Sequence, residues 1–205
     1  MFLYVSQVQA AVVNYTSLAT FQANSGSLTL VNFDVDSGGN PIAAPSPGVL
    51  AGNNFSGYGI TFNSGVVFGE PNLPFGGVSP PNIISNTQIN TPTPALVDGV
   101  FAAPVFEVGL TNTGAEAILR IFDISDNLIG TINSDLDPSF NDFIGLISDT
   151  PIYRMEFDFV SGIGFGGDDL YFTQIASPIP LPAAAWLFGT ALIGFVGYSR
   201  RRKIF

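Results

Sequence analysis

At 205 residues, with roughly 165 left once an apolar C-terminal stretch is set aside, the chain holds one domain with a sizeable core rather than two. Its 19 Phe, 23 Gly and 15 Pro point to short strands punctuated by turns, and the absence of Cys and His excludes disulfides, thiolate or imidazole metal sites, and Ser-His or Cys-His catalysis. All 16 acidic residues precede position 200 and meet only Arg120 and Arg154 there, so the body would be repelled by phosphate backbones and nucleic acid is excluded as a partner.

In chain order, residues 1–11 read as the end of a signal peptide: MFLYVSQVQA has a short apolar start and a small-residue cleavage site at Val8 and Ala10, but no basic n-region. Residues 12–177 read as the exported body. A short helix is predicted over Ser17 to Ala23, closed by Gly26. Strands are predicted at Leu28 to Phe33, Gly59 to Phe62, Gly65 to Phe68, Phe106 to Thr111, Ala117 to Asp123, Leu128 to Asn133, Phe143 to Ile147, Ile152 to Val160 and Leu170 to Ile175. The clearest is Ile152 to Val160, where Tyr153, Met155, Phe157 and Phe159 share one face and Arg154, Glu156 and Asp158 the other. Ser125-Asp126-Asn127 supplies residues that tolerate left-handed geometry, which predicts a hairpin between its flanking strands. Residues Asp36 to Asn54 and Glu70 to Asp98, rich in Pro, Gly, Asn and Ser, read as long surface loops. The fold expected is an all-β, antiparallel, jelly-roll-like sandwich followed by a single C-terminal transmembrane helix.

Two acidic constellations suggest oxygen-ligand chemistry. Asp34-Val35-Asp36-Ser37-Gly38-Gly39-Asn40 resembles the opening of a calcium loop, because alternate Asp side chains beside a Gly turn can converge on a hard cation. It departs from the EF-hand pattern at Gly38 and Pro45, and its simpler reading is a strand running into a turn. Asp168-Asp169, after Gly166-Gly167, reads either as a turn into the last strand or as part of a Ca2+ or sugar site. With no His or Cys, an enzyme would have to work with two carboxylates, as a glycosidase does, yet 16 carboxylates make some such pair inevitable.

The chain end, residues 178–205, carries an address. Ala183 to Tyr198 is uncharged and, with Ile179 to Leu181, reaches the length that spans a hydrocarbon core, while Arg200, Arg201, Arg202 and Lys203 form a stop that prefers the cytoplasmic side. Ile179-Pro180-Leu181-Pro182-Ala183, the apolar run and the basic cluster, in that order, resemble the PEP-CTERM class of sorting tails in the variant reading Val-Pro-Leu-Pro-Ala, with Ile179 in place of Val. The resemblance implies an exosortase that recognises the motif and cleaves near it in a Gram-negative bacterium making extracellular polysaccharide. An inner-membrane precursor with its body in the periplasm would then yield a surface or extracellular protein. The function expected is a non-catalytic surface or matrix protein associated with exopolysaccharide in a biofilm. A calcium-assisted carbohydrate-binding module, with Phe55, Tyr58 or Phe75 exposed for stacking on sugars, is the alternative, and a carboxylate-dependent polysaccharide hydrolase the third reading.

Overall fold

β-branched and aromatic residues at a two-residue period favour half-buried strands, and in the computed structural model they join into one hydrogen-bonded sheet of 11 strands. Residues 11–42, 49–50, 52–64, 66–69, 79, 81–85, 96–114, 116–134, 141–160 and 166–173 are described. The chain divides into two units, Met1–Ile175 and Ala176–Phe205. All of the second unit lies outside the described residues, and with it the predicted sorting motif 179–183, the predicted membrane helix 183–198 and the basic cluster 200–203. Among the described residues no helix is long and apolar enough to cross a membrane.

The body is all-β with one short α-helix. Its elements are β1 (Val12–Tyr15), α1 (Leu18–Asn24), β2 (Leu28–Val31), β3 (Val49–Leu50), a 3-10 helix (Gly52–Tyr58), β4 (Ile60–Ser64), β5 (Val66–Gly69), β6 (Asn82–Ser85), β7 (Val97–Asn112), β8 (Ala117–Phe122), β9 (Leu128–Asn133), β10 (Asp142–Phe159) and β11 (Gly167–Thr173). The main path runs β3-β5-β6-β11-β7-β10-β8-β9, with β1 on β10, β2 on β11 and β4 on β7. The strand pairings are antiparallel.

Two long strands give the sheet its sandwich-like form. The core-facing residues of β10 are even-numbered in its first half (Ile144, Leu146) and odd in its second (Met155, Phe157). In β7 the order reverses, from Val97, Phe101 and Val105 to Val108 and Leu110. A regular strand would send one of these halves to solvent, because a slip of one residue exchanges the two faces. The pairing between β10 and β7 supplies the slip, with register shifts between Ile147 and Ile152 and between Ile152 and Arg154. Pro151 and Pro104 lie in these stretches, where the regular ladder is interrupted. The first half of β7 pairs with β4 and the second with β11, yet both halves feed a single core.

In the strand with the clearest alternation Met155 and Phe157 are buried as predicted, and Arg154, Glu156 and Asp158 are partly exposed. Tyr153, expected on the inner face, is half-buried and Ile152 is buried instead, because the register shifts between Ile152 and Arg154. The Phe159 side chain lies outside the described residues. Other boundaries are corrected. Phe143 to Ile147 and Ile152 to Val160 belong to one strand, since Pro151 bends the chain without ending the pairing. The segment read as a loop from Glu70 to Asp98 contains β6 and the start of β7, and that from Asp36 to Asn54 contains β3 and the start of the 3-10 helix. Their turn-rich composition hid two short strands, β3 and β6, which both pair with β5. β1 was not predicted. It pairs with Gly145–Ser148 of β10.

On the far side of the sheet from the main core, α1 buries Phe21 against Phe143 and Tyr171. Gly109 and Gly145 are cross-strand partners and form the floor under these rings. A Cβ at Gly109 would stand 2.6 Å from Phe143 Cζ, and one at Gly145 would stand 2.9 Å from Phe21 Cδ2. Only glycine lets the aromatic rings lie this close to the backbone.

Candidate functional site

Two buried carboxyls, Asp168 and Asp169, stand where β11 begins. Gly166 and Gly167 allow a close approach: a Cβ on Gly166 would collide with Ile83, and one on Gly167 would stand 2.6 Å from Leu110 Cδ1. Asp169 then adopts a left-handed backbone, φ 50°, and the pairing with β7 shifts register between Asp168 and Tyr171. Asp tolerates this conformation better than most residues. In a regular strand consecutive side chains diverge, but here both carboxyls reach one residue, Ser79. Ser79 N–H donates to Asp168 Oδ2 at 2.8 Å, and Ser79 Oγ lies 3.0 Å from Asp168 Oδ1 and 2.7 Å from Asp169 Oδ1. Asp169 N–H also donates to Asp168 Oδ1 at 2.8 Å.

Asp168 is fully buried and Asp169 is 8% exposed. Burial pushes the Asp168 carboxyl up to about 6; the Ser79 amide pulls the other way, and the negative charge of Asp169 adds to the rise. Tyr171 is raised as well, by burial first and then by Asp169 and Asp168. A hydroxyl has one proton to give, and Ser79 Oγ faces two carboxyls. The Ser79 hydroxyl lies within hydrogen-bond distance of both, so it bridges Asp168 and Asp169. Ser79 was not legible as a partner, because nothing local in Ser79-Pro80-Pro81 points to a strand roughly 90 residues away.

Asp34 and Asp36 serve different purposes. Asp34 Oδ1 accepts from Asn82 N–H at 2.9 Å and ties the end of β2 to β6. Asn82 donates in turn to the carbonyls of Phe33 and Ile42, at 3.3 and 3.0 Å. Asp36 closes its own turn, accepting from the amides of Gly38 and Asn40 at 2.8 and 2.9 Å and from the Asn40 side chain. The same device recurs at Asp123, which accepts from the amides of Ser125 and Asn127 and from the Asn127 side chain. Each turn carries a left-handed residue just before its Asn: Gly39, φ 79°, and Asp126, φ 64°. These bonds, led by the Asn side chain, lower the pKa of both Asp36 and Asp123. Among the described residues no three acidic side chains converge as a cation site would require.

The aromatic candidates separate. Phe55 is fully buried and packs edge-on to Phe33 and Phe62, with centroids 5.4 and 5.8 Å away, so it cannot stack on a sugar. Tyr58 is half-buried and donates its hydroxyl to the Asp36 carbonyl at 3.2 Å. Phe75 lies outside the described residues. On the outer face of β10, Arg154 meets Asp126 at 2.6 Å, Glu156 at 2.5 Å and Asp98 at 3.3 Å, and stacks 3.8 Å from the Phe122 ring centroid. Arg120 meets Asp158 at 3.0 Å and Glu156 at 3.6 Å. Both cations of the body are thus held by carboxylates of the same surface.

Compared with protein-family models, curated proteins and solved structures, the chain matches none.

Proposed function

We propose that the chain is an exported, non-catalytic cell-surface or extracellular-matrix protein, with a jelly-roll-like β-sandwich body carried on a C-terminal sorting tail. The observation that carries this reading is the order of three features at the chain end: Ile179-Pro180-Leu181-Pro182-Ala183, an uncharged run to Tyr198, and Arg200-Arg201-Arg202-Lys203. Such a run fits one membrane helix at 183–198, and the basic stop keeps its end cytoplasmic and the body outside. An exosortase acting at the motif would hand the body to the surface, where exopolysaccharide is the natural neighbour.

The body's chemistry supports a non-catalytic role. Asp168, whose carboxyl burial raises, is fully buried, and its bonds tie Ser79 to β11. A general acid must reach its substrate. Burial of Phe55 weighs against a sugar-stacking platform and favours the matrix role.

Fractionation of the native host with intact-mass analysis tests the reading. A surface or secreted form ending near Pro182 is expected. A full-length chain ending at Phe205 in the inner membrane would reduce the tail to an anchor, and a cytoplasmic product would overturn export.

A further inference from the structure

We infer that the body self-associates through the outer edge of β9, pairing antiparallel with β9 of a second copy. Edge strands invite such pairing, and native sheets blunt them by shortness, charge or proline. Among the described residues, β1, β2, β3 and β4 are also paired on one side only, but none exceeds five residues. β9 has six, reads Leu-Ile-Gly-Thr-Ile-Asn, and contains no charge and no proline. Its one register shift against β8 lies at the strand's start, which leaves Gly130–Asn133 regular.

The outward-facing groups can be identified. Ser134 N–H bonds the Ala117 carbonyl, and Leu119 faces Ile132 two residues on, so the alternating ladder turns the backbone of Thr131 and Asn133 away from β8. Asn14 confirms the direction, since its side chain donates from outside to the Thr131 carbonyl at 3.3 Å. Thr131 and Asn133 also have exposed side chains.

The occupant is a second copy for two reasons. First, the strand is self-complementary about Thr131. A two-fold pairing sets Thr131 opposite Thr131, Gly130 opposite Ile132 and Ile129 opposite Asn133, which matches hydroxyl with hydroxyl and a small residue with a large one. Second, β9 bears no charge, so on a strongly acidic body its pairing with a second copy sets no like charges opposite each other along the strand. Screening of the remaining repulsion makes the pairing stronger as salt rises. Leu128 and Ile124, 55% and 74% exposed, leave apolar surface at the head of the same strand.

Sedimentation velocity of the full-length chain in mild detergent, across a concentration series, tests this. A dimer that grows with concentration and with salt is expected. Thr131→Lys, at an exposed position, places like charges opposite each other at the two-fold axis and should abolish the dimer while leaving the circular dichroism spectrum unchanged. Asn14→Ala should move dimerisation to lower concentration. Because the chain has no cysteine, Thr131→Cys gives a unique thiol: oxidation should cross-link it readily between copies, and Ser125→Cys at the hairpin tip poorly. A chain that stays monomeric at every concentration overturns the inference. So does an oligomer that Thr131→Lys leaves intact, which would be driven by the tail.

Discussion

Acidification through the range above pH 4 should stabilise this protein, and the cause is Asp168. Its carboxyl stands at 3.8 when unperturbed and at about 6 in the fold, displaced chiefly by burial. A raised carboxyl binds its proton more tightly when folded, so its contribution is fully present below 3.8 and is lost as pH climbs through about 6. The displacement amounts to about 3 kcal/mol in all, of which about 1.5 kcal/mol falls between about pH 5 and about pH 7.5. Glu107, raised by burial against the Gly26 amide, acts in the same direction. Asp36 and Asp123 are lowered, so they act oppositely and only as pH falls below 3.8. Urea unfolding followed by far-ultraviolet circular dichroism should therefore show greater stability at about pH 5 than at about pH 7.5. Asp168→Asn should flatten most of that slope. It will not simply add stability, because an amide offers one acceptor oxygen where Asp168 takes donors on both, and the opposed Ser79 or Asp169 N–H costs about 1–3 kcal/mol. The slope is the decisive quantity. Equal stability at the two pH values, or a full slope retained in Asp168→Asn, refutes the placement of a raised carboxyl at this site.

Further outcomes follow from the packing. Gly109→Ala puts a methyl 2.6 Å from Phe143 Cζ and should cost about 1–3 kcal/mol, with α1 losing amide protection in hydrogen exchange before the strands do. Arg154→Met leaves Asp98 and Glu156, each largely covered, without their shared cation; the expected loss in urea unfolding is about 1–3 kcal/mol, and Arg120→Met, at a more exposed pair of contacts, should cost less. Ser79→Ala removes the hydroxyl between the two carboxyls and should destabilise the fold by about 1–2 kcal/mol in urea unfolding.

The sequence alone determined what depends on near neighbours. Alternation of Met155 and Phe157 with Arg154, Glu156 and Asp158 identifies β10's inner and outer faces, because side-chain direction repeats every two residues whatever the strand pairs with. The turns at Asp36–Asn40 and Asp123–Asn127 are equally local, with a carboxylate bonding amides two and four residues ahead. The uncharged run 183–198 and the basic cluster 200–203 at the chain end are likewise plain in the sequence, as composition in order. Tertiary structure decided the rest. Joining two predicted strands across Pro151, and the exchange of core parity in β7 and β10, depend on a register set between segments far apart in the chain. Short strands inside turn-rich stretches gain stability only from their partners in the sheet, as β6 does between β5 and β11. The meeting of Ser79 with Asp168 and Asp169 needs that pairing, the close approach at Gly166 and the left-handed Asp169 together. No local pattern encodes their sum, since it is the free energy of burial and pairing across the whole core that holds each in place.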